Sequence, residues 1–256
     1  MINKKWILIC AMLVGAASSG SHAADDSTGW SFMAEPYVLA STIDGEASIG
    51  RITGADVDMD FGDILKVLDL GAMVHLEAIR ENTWGVVLDY GFMDLSNKVT
   101  TPRDGVLEAE VRQGVMEAFL LRRFQSGPSS LDVFAGIRWW DNDIGATVDL
   151  TLLPGERSRK IKQDWVDPVI GARWTHPLSE RWELTLRGDV GGFGVASDFS
   201  ATAMASAKYA FNSTLALELA YKALWVDYED GTRQTPGYFA YDTVTHGPLI
   251  GLIIAF

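Results

Sequence analysis

The feature that most constrains this chain is an alternation of apolar and polar side chains with a period of two, repeated in segment after segment. In 182–190, Glu183, Thr185, Arg187 and Asp189 share one face, and Trp182, Leu184, Leu186, Gly188 and Val190 share the other. In 215–225, Leu215, Leu217, Leu219, Tyr221, Ala223 and Trp225 oppose Glu218 and Lys222. Segments 84–92, 131–139 and 166–174 repeat the pattern, with Asp89, Asp132, Arg138, Asp167 and Arg173 on the face opposite the apolar one. Successive side chains point to opposite faces of a strand, so these segments read as strands with one apolar face. A soluble sandwich also alternates, but its apolar face is a core of branched aliphatics. Here Trp and Tyr recur near the segment ends, as in the interfacial girdles of a membrane barrel.

The connections alternate as well. Short ones fall at 81–83, 126–130, 177–181 and 212–214, and long ones at 44–68, 97–107, 152–163 and 228–242, with 197–200 a short exception among the long set. Short periplasmic turns and longer outer loops have this rhythm. The pattern predicts an all-β fold, an antiparallel transmembrane β-barrel of about ten strands. They run over 31–43, 69–80, 84–96, 108–124, 131–149, 165–176, 182–196, 201–211, 215–227 and 243–256. An even count puts both termini on the periplasmic side. Eight or twelve strands remain open, because 55–68 is ambiguous. Asp56, Asp58 and Asp60 alternate there with Val57, Met59 and Phe61, as in a hairpin arm, whereas 63–68 has the spacing of a helical turn.

Both ends fit an outer-membrane destination. Lys4 and Lys5 precede an apolar run over 6–17, followed by small residues at Ser21 and Ala23. This is the layout of a cleaved signal peptide, 1–23, and the run is about half the ~20 residues a spanning helix needs. The expected mature domain is 24–256. Cys10, the only cysteine, would leave with the signal, so the mature chain would have no thiol chemistry. The chain closes on Phe256, with Ile254, Leu252 and Ile250 alternating back from it. This resembles the last strand by which such barrels are recognised for assembly, except that Leu249 and Ile253 are apolar where the pattern is usually polar. The chain carries 21 basic and 34 acidic residues. Such an acidic chain repels nucleic acid.

The strings AEPYVLASTIDG, DMDFGDILKVLDLGAMVHLEA, VFAGIRWWD, WVDPVIGARW, LRGDVGGFGVASDFS, VDYEDG and HGPLIG resemble a widespread family of uncharacterised proteobacterial outer-membrane β-barrel proteins. The resemblance covers nearly the whole expected mature chain. It implies the barrel fold and the location, and no reaction. The likeness to small barrels of the outer-membrane protein A and W type is one of architecture only.

The expected inward faces carry Glu35, Glu77, Asp89, Glu117, Arg123, Asp132, Arg138, Asp167, Arg173, Glu183, Arg187, Asp189, Glu218 and Lys222. A narrow barrel has little room for bulk water, so these groups are expected to fill it with ion pairs. Arg138, Arg173 and Arg187 would pair with acids such as Asp132, Asp167, Glu183 or Asp189. That filling favours a structural or interaction role. A narrow pore for small polar solutes is the alternative, and a lipid-modifying enzyme the second alternative. No catalytic set is expected. His75 shares a face with Glu77, His176 falls near a turn, and His246 shares the parity of Phe256. No cofactor is expected and no metal site. Asp56, Asp58, Asp60 and Asp63 open like a calcium loop, but Phe61 stands where the turn glycine belongs and Val67 where the closing Glu belongs. Asp227, Glu229 and Asp230 read as solvated charge. In 61–69, Ile64, Leu65 and Leu68 would line one side of a helical turn and cap the mouth against Trp140 and Phe193. Expected partners are outer-membrane lipid and lipopolysaccharide, with the barrel-assembly machinery during insertion.

Overall fold

A strand with one apolar face needs neighbours for its backbone groups and a matching environment for each face. The computed structural model describes residues 29–100, 106–149 and 157–256. The expected signal segment lies outside the described residues. In chain order the elements are β1 (Trp30–Leu39), β2 (Thr42–Ile49), β3 (Ile52–Met59), α1 (Phe61–Val67), β4 (Leu68–Arg80), β5 (Trp84–Thr100), β6 (Val106–Ser126), β7 (Ser129–Asp149), β8 (Arg157–Pro177), β9 (Trp182–Gly192), β10 (Phe199–Ala210), β11 (Leu215–Asp230) and β12 (Phe239–Ala255).

Ten of these strands, β1 and β4 through β12, form a closed antiparallel barrel. Closure is made by β1, which pairs with β4 from Trp30↔Arg80 to Pro36↔Val74 and with β12 from Met33↔Ala255 to Leu39↔Leu249. The short connections lie at one end, the turn end, together with Trp30 and Phe256. The longer connections lie at the other, the loop end. There β12 runs past β1 and pairs with β2 instead, from Phe239↔Ile49 to His246↔Thr42. The hairpin β2–β3 therefore stands as an arm on the rim, which resolves the ambiguity at 55–68. The sheet has twelve strands, and ten of them close.

The barrel wears its apolar side outward. Leu120, Val38, Ile170, Ile250, Leu219 and Val133 are among the most exposed hydrophobic residues, from 47% to 65%. Along β7 the outward apolar run from Leu131 to Trp139 gives way to Asp141 and Asp143. Its eight steps span about 27 Å along the strand, or about 20 Å of height at a tilt of ~40°, close to the band of a transmembrane barrel. Aromatic rings gather at the turn-end edge of this band. Trp30 packs edge-on to Trp84 at 5.4 Å, Phe32 stacks on Phe256 at 6.0 Å, and Tyr209 contacts Trp182 and Phe211 at 5.0 and 5.3 Å.

Several boundaries differ from expectation for clear reasons. β6 and β8 are longer than the expected 108–124 and 165–176, because strands beyond the apolar band can face water on both sides and tolerate charge. β9 stops at Gly192 rather than running to 196. Gly192 and Phe193 both have positive φ, 84° and 53°, which ends the ladder.

At the loop end, four outward acids stand in one row across four adjacent strands: Asp56 opposite Glu46, Glu46 opposite Asp242, and Asp242 opposite Asp227. Like charges directly opposite each other in a sheet are destabilising. Asp242 has an acid on both sides. Asp242→Asn is expected to raise the unfolding free energy by about 0.2–1 kcal/mol, read as a higher urea midpoint at low salt that converges on wild type at high salt.

Candidate functional site in the barrel lumen

The inward residues lie in layers from the turn end to the loop end. In the first layer, Arg123 makes a two-pronged contact with Asp132, Nε to Oδ1 at 2.7 Å and Nη2 to Oδ2 at 2.8 Å. Arg173 donates to the same Asp132 at 2.7 Å and to Glu77 at 2.6 Å. His75 Nδ1 lies 3.0 Å from Asp89, which accepts the Tyr37 hydroxyl at 2.8 Å. Planar guanidinium forks suit such shared carboxylates.

The second layer is centred on Arg138, which is fully buried. It donates to Glu117 at 2.7 Å, to Asp189 at 2.7 Å, and to the hydroxyls of Thr202 and Ser200 at 2.7 and 3.2 Å. Arg187 bridges Glu117 and Asp189 at 2.8 and 3.0 Å, with its guanidinium 5.3 Å from the ring centres of both Phe119 and Phe134. Gly171 makes room for this packing. A Cβ there would meet the Phe134 ring and the Asp189 side chain, each at 2.5 Å.

Above it, Asp167 is buried, with no cation paired to it among the described residues. It accepts from Trp140 Nε1 at 3.1 Å, Ser197 N at 2.9 Å and Ser197 Oγ at 2.8 Å. Three donors meet the acceptor capacity of this carboxylate. The same Ser197 hydroxyl receives Trp165 Nε1 at 2.8 Å. These contacts anchor an aromatic stack. Trp165 lies 5.4 Å from Trp140 and 3.9 Å from Tyr228, nearly parallel to both, and Phe239 leans on it at 6.4 Å. Trp140, Trp165, Tyr228 and Phe239 are all buried. Polar atoms at the tips and apolar faces between the rings hold this cluster together across the bore.

Beside the stack, α1 takes the helical alternative left open at 63–68 but covers Phe61–Val67, with Leu68 already in β4. Asp60 caps it, accepting from Asp63 N at 2.8 Å. Ile64 is buried against Ile43 and Leu95, with Met93 and Val111 alongside. Met93, Leu95 and Val111 share the parity of Asp89 and Glu117, so the helix packs on inward residues of the rim. The expected contacts differ: Trp140 belongs to the aromatic stack, Phe193 is 55% exposed, and Leu65 is 39% exposed. The arm β2–β3, one of the two readings open at 55–68, supplies Ile43, Val57 and Met59 to this cluster.

Two cavities among the described residues bear on the site. The larger, about 360 Å³, is a vestibule at the turn end lined by Glu35, Tyr37, His75, Arg173, Glu218 and Lys222 among others. A smaller one, about 60 Å³, lies beneath Trp140 and Leu224. Tyr37, Asp89 and Lys222 line both, and so form the partition between them.

All fourteen sequence-named charged residues face the lumen, but the pairing differs in detail. Arg138 and Arg187 share Glu117 and Asp189, Arg173 takes Glu77 as well as Asp132, and Asp167 has no arginine. Glu183 pairs with Lys208. Sequence reading missed Lys208, although Thr202, Met204, Ser206 and Lys208 alternate with four alanines in β10. It also missed Ser197, Ser200 and Thr202, whose roles are set by distant strands. His176 and His246 lie outside the lumen network. His176 Nδ1 is 2.7 Å from Ser129 Oγ. His246 joins Tyr221 at 2.7 Å and Asp44 at 2.9 Å.

Solved structures of other proteins resemble this geometry. The translocator domain of the autotransporter NalP from Neisseria meningitidis superposes with a TM-score of 0.50 at 14% identity, covering 96% of this chain and 93% of that one. Ail, the attachment invasion locus protein of Yersinia pestis, gives 0.40 at 10% identity, covering 90% and 99%. Neisserial surface protein A gives 0.28 at 15%, covering 90% and 98%. No family model and no curated protein sequence matches. The class defined is a transmembrane β-barrel of outer-membrane type.

Removing one partner of a buried ion network leaves the rest uncompensated, at about 3–5 kcal/mol. Arg138→Met is therefore expected to abolish or severely weaken folding, read as loss of the heat-modifiable folded band on a gel. Arg123→Met, at a site 17% exposed, is expected to fold with a smaller loss.

Proposed function

We propose that this chain is an integral outer-membrane protein of Gram-negative bacteria with a structural or interaction role, and that its lumen is closed to solutes. The observation that carries this reading is the succession of seals across one bore: the Arg138 network, the Trp140–Trp165–Tyr228 stack, and α1 at the rim. In this reading the turn end and both termini face the periplasm, which matches short periplasmic turns and longer outer loops. The surrounding lipid and lipopolysaccharide are its standing partners, with the barrel-assembly machinery during insertion. No reaction is assigned, because the lumen side chains are engaged with one another rather than arranged about a nucleophile and its base.

Planar-bilayer recording of the purified protein tests the reading. Wild type is expected to give no steady conductance. Trp165→Ala combined with Tyr228→Ala removes the stacked rings and is expected to produce openings, and deletion of 62–68 to add to them. Steady channels from the wild-type protein would overturn the closed lumen in favour of a narrow pore for small polar solutes, for which the aligned vestibule and inner cavity provide the path.

A further inference from the structure

Among the described residues, nine carboxylates face the lumen: Glu35, Glu77, Asp89, Glu117, Asp132, Asp167, Glu183, Asp189 and Glu218. Six Arg and Lys face them: Arg123, Arg138, Arg173, Arg187, Lys208 and Lys222. Glu77 and Asp132 are neutralised by Arg173 and Arg123, and Glu117 and Asp189 by Arg138 and Arg187. Glu183 has Lys208, Asp89 has His75 and Lys222, and Asp167 has its three donors. Two acids are left over, and they are neighbours.

Glu35 is only 5% exposed, and its Oε1 has no hydrogen-bond partner. Its carboxyl faces that of Glu218, which receives the Ser206 hydroxyl at 2.7 Å. Both carboxyls line the vestibule. The strand between them contributes Gly251, which pairs with Glu218. A Cβ at Gly251 would overlap Glu35 Oε1, so the glycine leaves the space in which the carboxyl sits. Two carboxyls buried side by side cannot both stay ionised unaided: either a shared proton or a cation has to join them, and a bound cation would displace that proton.

The walls say which kind of cation. On either side of Gly251, the inward positions of β12 are Leu249 and Ile253, both lining the vestibule, together with Met33 and Met204. These two β12 positions are where the terminal-strand pattern departs from polar side chains. A bare metal ion needs further oxygens and has no use for an aliphatic wall. An ammonium group with a short alkyl stem uses both features. A cavity of about 360 Å³ falls in the range that holds small organic ligands.

We propose that the turn-end vestibule binds a small aliphatic ammonium compound, its charged head between Glu35 and Glu218 and its stem against Leu249 and Ile253. The site goes beyond the closed-lumen reading and stands whichever side of the membrane the turn end faces.

Titration calorimetry of the full folded barrel in detergent, with butylammonium chloride as the probe, tests it. Saturable one-site binding is expected, with ammonium chloride and butanol each binding more weakly. Glu218→Gln and Glu35→Gln are expected to weaken butylammonium binding by at least about tenfold, as for loss of a hydrogen bond to a charged group. Gly251→Ala, which displaces Glu35, is expected to do the same. Heat-modifiable gel mobility establishes that each variant is folded, and any one folded variant suffices for the comparison. Absence of saturable binding in wild type would overturn the proposal. So would binding that every folded variant retains, or calcium binding at the two glutamates with no binding of butylammonium.

Discussion

Every backbone amide in the apolar band must find its partner within the sheet, because hydrocarbon offers none. The pairing of β1 with β12 meets that demand, and the rest of the structure follows from it. Once the sheet closes on itself, each strand has one face toward lipid and one toward a narrow bore. The outward face can then be Leu, Ile, Val and aromatic rings without penalty, and the inward face is left with the charges. The molecule is built with its polarity inverted relative to a soluble domain, and the charges of its polar core have to find partners inside the bore.

Much of that pairing is achieved by sharing. Asp132 serves two arginines, and Glu117 and Asp189 share another two. Buried ion pairs of this kind contribute little net stability compared with apolar packing, but they are expensive to leave incomplete. They therefore fix register: a shift of one residue in any strand would turn its charges into lipid. The aromatic stack above them has a different logic. Its indole nitrogens are tied to Asp167 and Ser197, so the rings are held flat across the bore instead of being free to swing into alternative rotamers.

The rim shows how a barrel end is finished. Beyond the level of His246, β12 loses β1 as a neighbour and gains the arm β2–β3. The arm brings Ile43, Val57 and Met59 over the mouth, and α1 fills the remaining angle with Ile64. A seven-residue helix is too short to be stable alone, and it persists here because it is capped by Asp60 and because Ile64 has an apolar seat.

The two-residue alternation determined the strands, the inward or outward direction of each charged residue, and the apolar band, because side-chain direction in a strand is a local property of the backbone. Even the helical turn at 61–67 was legible, from the i, i+1, i+4 spacing of Ile64, Leu65 and Leu68. What the alternation does not carry is who meets whom across the bore. Arg138 and Ser200 lie on strands far apart in the chain, and the contact of Glu35 with Glu218 passes over a third strand. The partition between cavities at Tyr37, Asp89 and Lys222 likewise joins three separated strands. Parity says that a residue points inward. Barrel circumference, stagger and the gaps left by glycines decide how far it reaches and what it finds, and these are properties of the closed sheet as a whole.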